Sequence, residues 1–357
     1  MTGVALSTTA ALIEAAGRAS SIRLAAYTLG NRRLADALEA AAARGAQVRI
    51  VLARAPNEDP AGAIAARNAA TVGQLRSRGV DAALSDPAHP SPHLKAAVVD
   101  GVAYLDDANF RTDGAETVVR DPDPADVAAI EAVMNGGDDR VFAGALRLRK
   151  RDALADEAAT IAAGAGHAIA VESESFGSGS FVYGALKARA LAHDPVRLLV
   201  AGRELRSDRS GRERAALRTL AAAGVDVRVT DSNEKLAVAG GGGWVGSANA
   251  TFAGNDEDDW GLSTRDPATV EALRERFARN WEAARALDTL PVAPGPKIGV
   301  RALDAEKLAR GAAGRLENFF ERELKNVGEL LGALRHERGL VAFPAVRDGG
   351  EVGTVGL

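Results

Sequence analysis

His93 and Lys95, separated by Leu94, are followed by Asp100 and Asn109, and the same skeleton returns further along as Asn233, Lys235, Gly240 and Asn249. Counted from the first residue of each copy, lysine stands at +2, the Asp/Gly position at +7 and asparagine at +16 both times. In an extended chain alternate side chains share a face, so His93 and Lys95 point one way and Leu94 the other, and Asn233 and Lys235 repeat the arrangement. Two ammonium groups and two carboxamides (Asn109 and Asn249) brought to one spot would form a pocket for a phosphate oxyanion. Gly246 and Ser247, just ahead of Asn249, would let backbone and hydroxyl approach that anion. An imidazole inside such a pocket can attack phosphorus and carry a covalent phosphoryl intermediate.

The segments around these motifs are also duplicated. Ile22 to Tyr27 reads as a strand, Leu34 to Arg44 as an Ala/Leu-rich helix stopped by Gly45, and Val48 to Leu52 as a short buried strand. The second half repeats this: strand Ala168 to Glu172, a turn at Gly177–Ser180, a helix through Ala190, and strand Val196 to Val200. Leu75 to Asp81 and Leu220 to Asp226 are glycine-closed helix ends, each entering the strand that leads to its motif. Arg120-Asp121-Pro122 and Arg265-Asp266-Pro267 each predict a helix start, and Val270, Leu273, Phe277 and Trp281 form a core-facing stripe in the second of these helices. Alternating strands and helices, repeated at a period of roughly 140 residues, predict an α/β chain of two like domains and not a solenoid. The expected boundaries are 1–150, 151–290 and a linker plus helical extension over 291–357. That extension carries Leu316, Phe320, Leu324, Val327, Leu331 and Leu334 at helical spacing, a face suited to covering a domain, to dimerisation or to a membrane surface.

HxKxxxxD with a downstream asparagine, present twice in register and ending the second time in Gly246-Ser247-Ala248-Asn249, resembles the phospholipase D superfamily over roughly residues 10–288. The resemblance implies two similar α/β/α sandwich domains with mixed sheets, paired as a pseudo-dimer around a single active site. It implies a phosphodiesterase or phosphatidyltransferase that needs no metal or other cofactor. His93 would be the nucleophile, Lys95, Asn109, Lys235 and Asn249 would bind phosphate with Ser247, and Asp100 would support the cluster. The acid that orients the histidine would be Glu116, with Asp259 as its second-half counterpart. The implied substrate is a phosphodiester, with phospholipid one class of it.

Three departures set the functional question. Asn233 stands where the resemblance implies a second histidine, and losing a general acid/base costs about 10²–10⁴ in rate. Gly240 stands where a second aspartate is implied. Asp106-Asp107 stand where Gly-Ser is expected, and a carboxylate about 5 Å from a phosphate repels it by roughly 3 kcal/mol at an effective dielectric near 20. Three readings follow: an enzyme, a pseudoenzyme that binds a phosphorylated ligand or a partner protein, and a nuclease. His89 and Asp231 are candidate substitutes for the missing acid.

Bulk properties narrow these. A net charge of −4 over 357 residues gives no general attraction to nucleic acid, which disfavours the nuclease. With no cysteine there are no disulfides, thiol nucleophiles or thiolate metal sites, and the five histidines lack metal-ligand spacing. Neither a signal peptide nor a membrane span is expected, so the expected place is the cytoplasm, with peripheral membrane contact through the C-terminal helix. The head group, the acceptor and the oligomeric state are not legible in the sequence.

Overall fold

The computed structural model describes residues 3–56, 59, 61–87, 93–111, 117–136, 144–208, 210–252 and 258–287. The proposed linker and helix over 291–357, and the candidates His89 and Glu116, lie outside them. Residues Met1–Gly295 form one compact unit by their internal contacts.

The first half contains β1 (Ala5–Ser7), α1 (Thr9–Ala16), β2 (Ser21–Ala26), α2 (Arg32–Ala43), β3 (Gln47–Leu52), α3 (Ala63–Ser77), β4 (Asp81–Leu84), β5 (Ala96–Val99), β6 (Val102–Asp106), β7 (Val118–Asp121) and α4 (Pro124–Met134). The second half contains β8 (Leu146–Arg147), α5 (Lys150–Ala163), β9 (Ile169–Ser173), α6 (Phe181–Leu191), β10 (Val196–Ala201), α7 (Gly202–Ser207), α8 (Arg212–Ala222), β11 (Asp226–Thr230), β12 (Leu236–Ala239), β13 (Gly242–Gly246), β14 (Gly261–Thr264), α9 (Pro267–Ala283) and β15 (Arg285–Ala286). One sheet runs β1-β7-β6-β5-β2-β3-β4 and the other β15-β11-β10-β9-β12-β13-β14-β8. Apart from the added β15, the second order is the first read in reverse, so each half is the same mixed sheet. In both, the three strands joined through helices run parallel and the motif hairpin runs antiparallel.

Local chemistry sets the ends of these elements. Asn31 caps α2 by accepting the Leu34 N–H at 3.1 Å, and Ser180 caps α6 by accepting from Val182 at 3.2 Å. Asp266 caps α9 with Pro267 in its first turn, as the sequence predicts. In the first half the start is shifted: β7 continues through Asp121, and the next Asp-Pro step, Asp123-Pro124, opens α4.

Each sheet buries one face under its own helices. Leu12, Leu34, Leu38, Ile50 and Leu75 fill the first-half layer, and Leu154, Val182, Leu186, Leu198 and Leu217 fill the second. The opposite faces meet in a shared core of Leu94, Val98, Leu105, Leu236, Val245, Trp260, Leu273 and Phe277. The stripe Val270, Leu273, Phe277 and Trp281 on α9 faces that shared core. Trp260 also donates its indole N–H to the Asp106 carbonyl at 2.8 Å, tying the halves together beside the motifs.

Candidate active site between the halves

His93-Leu94-Lys95 is the extended lead-in to β5, and Asn233-Glu234-Lys235 is the same lead-in to β12. Leu94 and Leu236 are buried in the shared core, which fixes the lead-ins so that both lysines turn into one cleft of about 510 Å³. His93, Lys95, Asn109, Asn233, Lys235, Asn249 and Asp259 all line it. The lysines are held alike: Lys95 Nζ donates to the His93 carbonyl at 2.8 Å and Lys235 Nζ to the Asn233 carbonyl at 2.9 Å. Lys235 also reaches across the boundary to the Asp107 carbonyl at 3.1 Å.

The acid that orients His93 comes from the other half. Asp259 Oδ1 lies 2.7 Å from His93 Nδ1, and the same oxygen accepts the Ser247 hydroxyl at 2.7 Å. A carboxylate there fixes the tautomer, with Nδ1 carrying the proton and Nε2 a lone pair. Burial alone would raise the Asp259 pKa, but His93, Lys95 and Ser247 hold it well below the ordinary carboxylate range. The expectation that Asp259 serves the second motif is therefore corrected. Tyr27 closes the other side of the imidazole, edge to face at 4.9 Å between ring centroids.

Lys95 Nζ lies within hydrogen-bond distance of both ring nitrogens of His93, 2.9 Å from Nδ1 and 3.0 Å from Nε2. Burial pulls the Lys95 ammonium down to about 8, opposed by Asp259 and reinforced by Lys235. For Lys235 burial acts the same way, but Glu174 and Asp107 outweigh it and its pKa is raised.

Two assignments move away from the anion. Ser247 is fully buried, with its hydroxyl donating to Asp259 and accepting the Trp260 N–H at 3.1 Å, so it supports the acid and does not line the cleft. The space a side chain at Gly246 would need is filled by the Trp244 ring and the Trp260 carbonyl, so packing requires that glycine and not an approaching anion. Asp100 is corrected more fully. It sits in the β5–β6 turn, at the far end of β5 from His93, and its carboxylate accepts the Ser20 and Ser21 N–H groups at 2.8–3.2 Å. Its φ is +46° and that of Gly240 in the matching turn is +57°, a conformation that suits Asp and Gly alike. The change from Asp to Gly at this step is thus a turn substitution.

Asp106 and Asp107 stand in for Gly246 and Ser247, as the ladder confirms: Asp106 N–H bonds the Lys95 carbonyl at 3.0 Å as Gly246 N–H bonds that of Lys235 at 3.1 Å. The Asp106 carboxylate turns back to cap its own loop, accepting the Ala108 and Phe110 N–H groups. Asp107 accepts the Thr117 N–H at 2.9 Å, and burial pushes its carboxyl well above the ordinary range against the pull of Lys235. Neither is the exposed repulsive charge that the sequence suggests. Asp231 pairs with Arg285 at the surface, outside the cleft.

Besides Asp259, which lies 3.9 Å from Lys95 Nζ, Glu174 is an ionised carboxylate that faces the lysines. It follows β9 as Tyr27 follows β2, because Leu24 pairs with Ala97 as Val171 pairs with Ala237. Its Oε2 lies 3.2 Å from Lys235 Nζ and its other oxygen meets Arg203. Burial opposes ionisation, but Lys235 and Arg203 hold its pKa below the ordinary value. Glu174, Arg203, Arg111 and Lys150 complete the cleft, and no motif marks any of them.

Among the described residues no group of three or more His, Cys, Asp or Glu could hold a metal ion, and no helix is long and apolar enough to cross a membrane. No curated protein matches the sequence. Residues 10–133 match the family model described as "Cardiolipin synthase, PLD-like domain". The fold is similar to phosphatidylserine synthase from Haemophilus influenzae Rd KW20, with TM-score 0.58 and 10% identity, over 88% of this chain and 94% of that one. It is also similar to polyphosphate kinase from Porphyromonas gingivalis, with TM-score 0.55 and 17% identity, over 76% of this chain; this chain spans 48% of that kinase. The phospholipase D-like sequence match covers the first half, and the second half repeats its strand order and shares its cleft.

Proposed function

We propose that the cleft catalyses phosphoryl-centre substitution through a covalent intermediate on His93, as a phosphodiesterase or a phosphatidyltransferase. The observation that carries this reading is the 2.7 Å contact between His93 Nδ1 and Asp259, made across the two halves with both lysines beside it. Asp259 holds the Nδ1 proton, so the Nε2 lone pair can attack phosphorus. Lys95, Lys235 and the amides of Asn109 and Asn249 receive the non-bridging oxygens, where charge grows in the transition state. Asn249 Oδ1 accepts the Ser175 N–H at 3.4 Å, which leaves its NH₂ as donor. Water or an alcohol then attacks the phosphohistidine and restores the imidazole. Purified protein should hydrolyse bis(p-nitrophenyl) phosphate with chelator present, and His93→Ala should not. Equal turnover by the variant would remove the assignment.

A second reading has one specific observation behind it. Asn233 brings no proton, and Glu174 already sets an anion against Lys235. A pseudoenzyme would bind phosphorylated ligands here without turnover, and Asn233→His would not change that. Turnover by the unaltered chain would exclude it, and a large gain on Asn233→His would show that only the acid was missing.

A further inference from the structure

Phe110 and Ala250 follow the two cleft asparagines, Asn109 and Asn249, and both are fully buried. In each half this residue is fixed at both of its backbone polar groups, and the two halves use different partners to do it. In the second half the Ala250 N–H donates to Ser173 Oγ at 3.0 Å, and the Ala250 carbonyl accepts the Gly177 N–H at 2.9 Å. In the first half the Phe110 N–H donates to Asp106 Oδ2, and the Phe110 carbonyl accepts from Asn31 Nδ2 at 2.8 Å. Asn31 also donates to the Arg111 carbonyl at 3.2 Å, while its Oδ1 caps α2. A buried peptide group needs its partners, but any element facing it can supply them.

The two solutions differ because of what each sheet offers. Leu24 is the counterpart of Val171, so Ala26 at the end of β2 matches Ser173 at the end of β9. A methyl group accepts no hydrogen bond, and the acceptor comes instead from Asp106, at the step where the second half has Gly246. Gly246 cannot carry a side chain, because the Trp244 ring and the Trp260 carbonyl fill that space. Ala26 with Asp106 and Ser173 with Gly246 are therefore alternative pairs that meet one requirement. Phe110 has a φ of +50°, a left-handed conformation that a bulky residue keeps only where its surroundings over-determine it. Those surroundings are the first-half core around its ring, Asp106 at its N–H and Asn31 at its carbonyl.

We propose that Asp106 and Asn31 are positioning residues that hold the Asn109 amide towards the anion, as Ser173 and the Gly177 N–H hold that of Asn249. This rests on the reading of the cleft as an anion site and gives the departure at Asp106 a purpose within it. Neither residue lines the cleft, and each acts through Phe110 on the asparagine before it. A donor aimed at a phosphate oxygen contributes only while it is held in that direction, so loosening Phe110 weakens binding through Asn109 alone.

The test measures the affinity of the full chain for inorganic phosphate by calorimetry, with thermal melts to show that each variant is folded. Asn109→Ala should weaken binding about tenfold, the share of one hydrogen bond to a charged group. Asp106→Asn keeps an acceptor for the Phe110 N–H and Asp106→Ala does not, and both lack the charge. The alanine variant should bind phosphate about fivefold more weakly than the asparagine variant. Asn31→Ser, which still caps α2, should bind about fivefold more weakly than the unaltered chain. In the Asn109→Ala background both differences should vanish, since nothing is left to aim. Ala26→Ser combined with Asp106→Gly copies the second-half pair and should bind as Asp106→Asn does. Differences that persist in the Asn109→Ala background, or equal affinity of Asp106→Ala and Asp106→Asn, would overturn the proposal and leave the anion site standing. So would unchanged binding by Asn109→Ala, or a folded double variant that binds no better than Asp106→Ala. An unaltered chain that binds no phosphate would overturn both.

Discussion

The two halves place matched backbones around the cleft but load them with different chemistry. The first half supplies an imidazole (His93) and an aromatic wall (Tyr27); the second supplies an amide (Asn233) and a carboxylate (Glu174) at the same two steps. The lysine and the asparagine are kept in both. The groups proposed to bind an anion are therefore symmetric, and those proposed to make and break bonds are not. Each half also completes the other: Asp259 orients His93, and the Asp107 carbonyl holds Lys235. A duplicated fold that shares one site can lose a reactive group on one side and keep its binding apparatus.

The largest effect should come from the link between the halves. Asp259→Asn should lower kcat by about 10⁴-fold, because an amide no longer imposes the productive tautomer on His93. Near-normal kcat would show that the cross-half contact does not serve catalysis. Asn233→His tests the asymmetry from the other side: with an alkyl diester it should raise turnover by about 10²–10⁴, and an unchanged rate would mean that more than the acid is missing.

Binding should report the two shared lysines. Lys95 has its pKa lowered by burial to about 8, so its positive charge is present below that pH and lost above it. Phosphate affinity, measured by calorimetry, should fall by up to about tenfold per pH unit above 8. A flat profile to pH 10 would contradict the placement of Lys95 at the anion. Glu174→Gln removes the ionised acid that, among the described residues, contacts Lys235 and should tighten phosphate binding by about tenfold, while weaker binding would make Glu174 part of the receptor. The smallest effect is at the turn. Asp100→Gly, which copies Gly240, should cost about 1 kcal/mol of stability through lost hydrogen bonds to Ser20 and Ser21, and leave turnover intact. A large loss of activity would return Asp100 to the site.

The duplication, the α/β class and the paired sheets were legible because register and periodicity are local properties of the chain. So were the six motif residues that line the cleft. What the sequence concealed depends on contacts between segments far apart. Asp259 could be paired with its own motif or with the other, and only the packing of one half on the other selects His93. Asp106 and Asp107 could be placed along the chain, but their direction was set by N–H groups at Ala108, Phe110 and Thr117 that need satisfying. Asp100 reads as chemistry by its position in the motif, yet the hairpin requires a left-handed residue there. Glu174 carries no motif, and only its strand-end equivalence with Tyr27 could have marked it.

The central claim is that one imidazole, held from the opposite half, becomes covalently phosphorylated. Rapid acid-free quenching of the full chain with a phosphorus-labelled substrate, followed by mapping of the labelled peptide, tests it most directly. The account predicts acid-labile label on His93, absent from His93→Ala and strongly reduced in Asp259→Asn. Steady turnover with the label on another residue, or turnover that persists in His93→Ala, would contradict it.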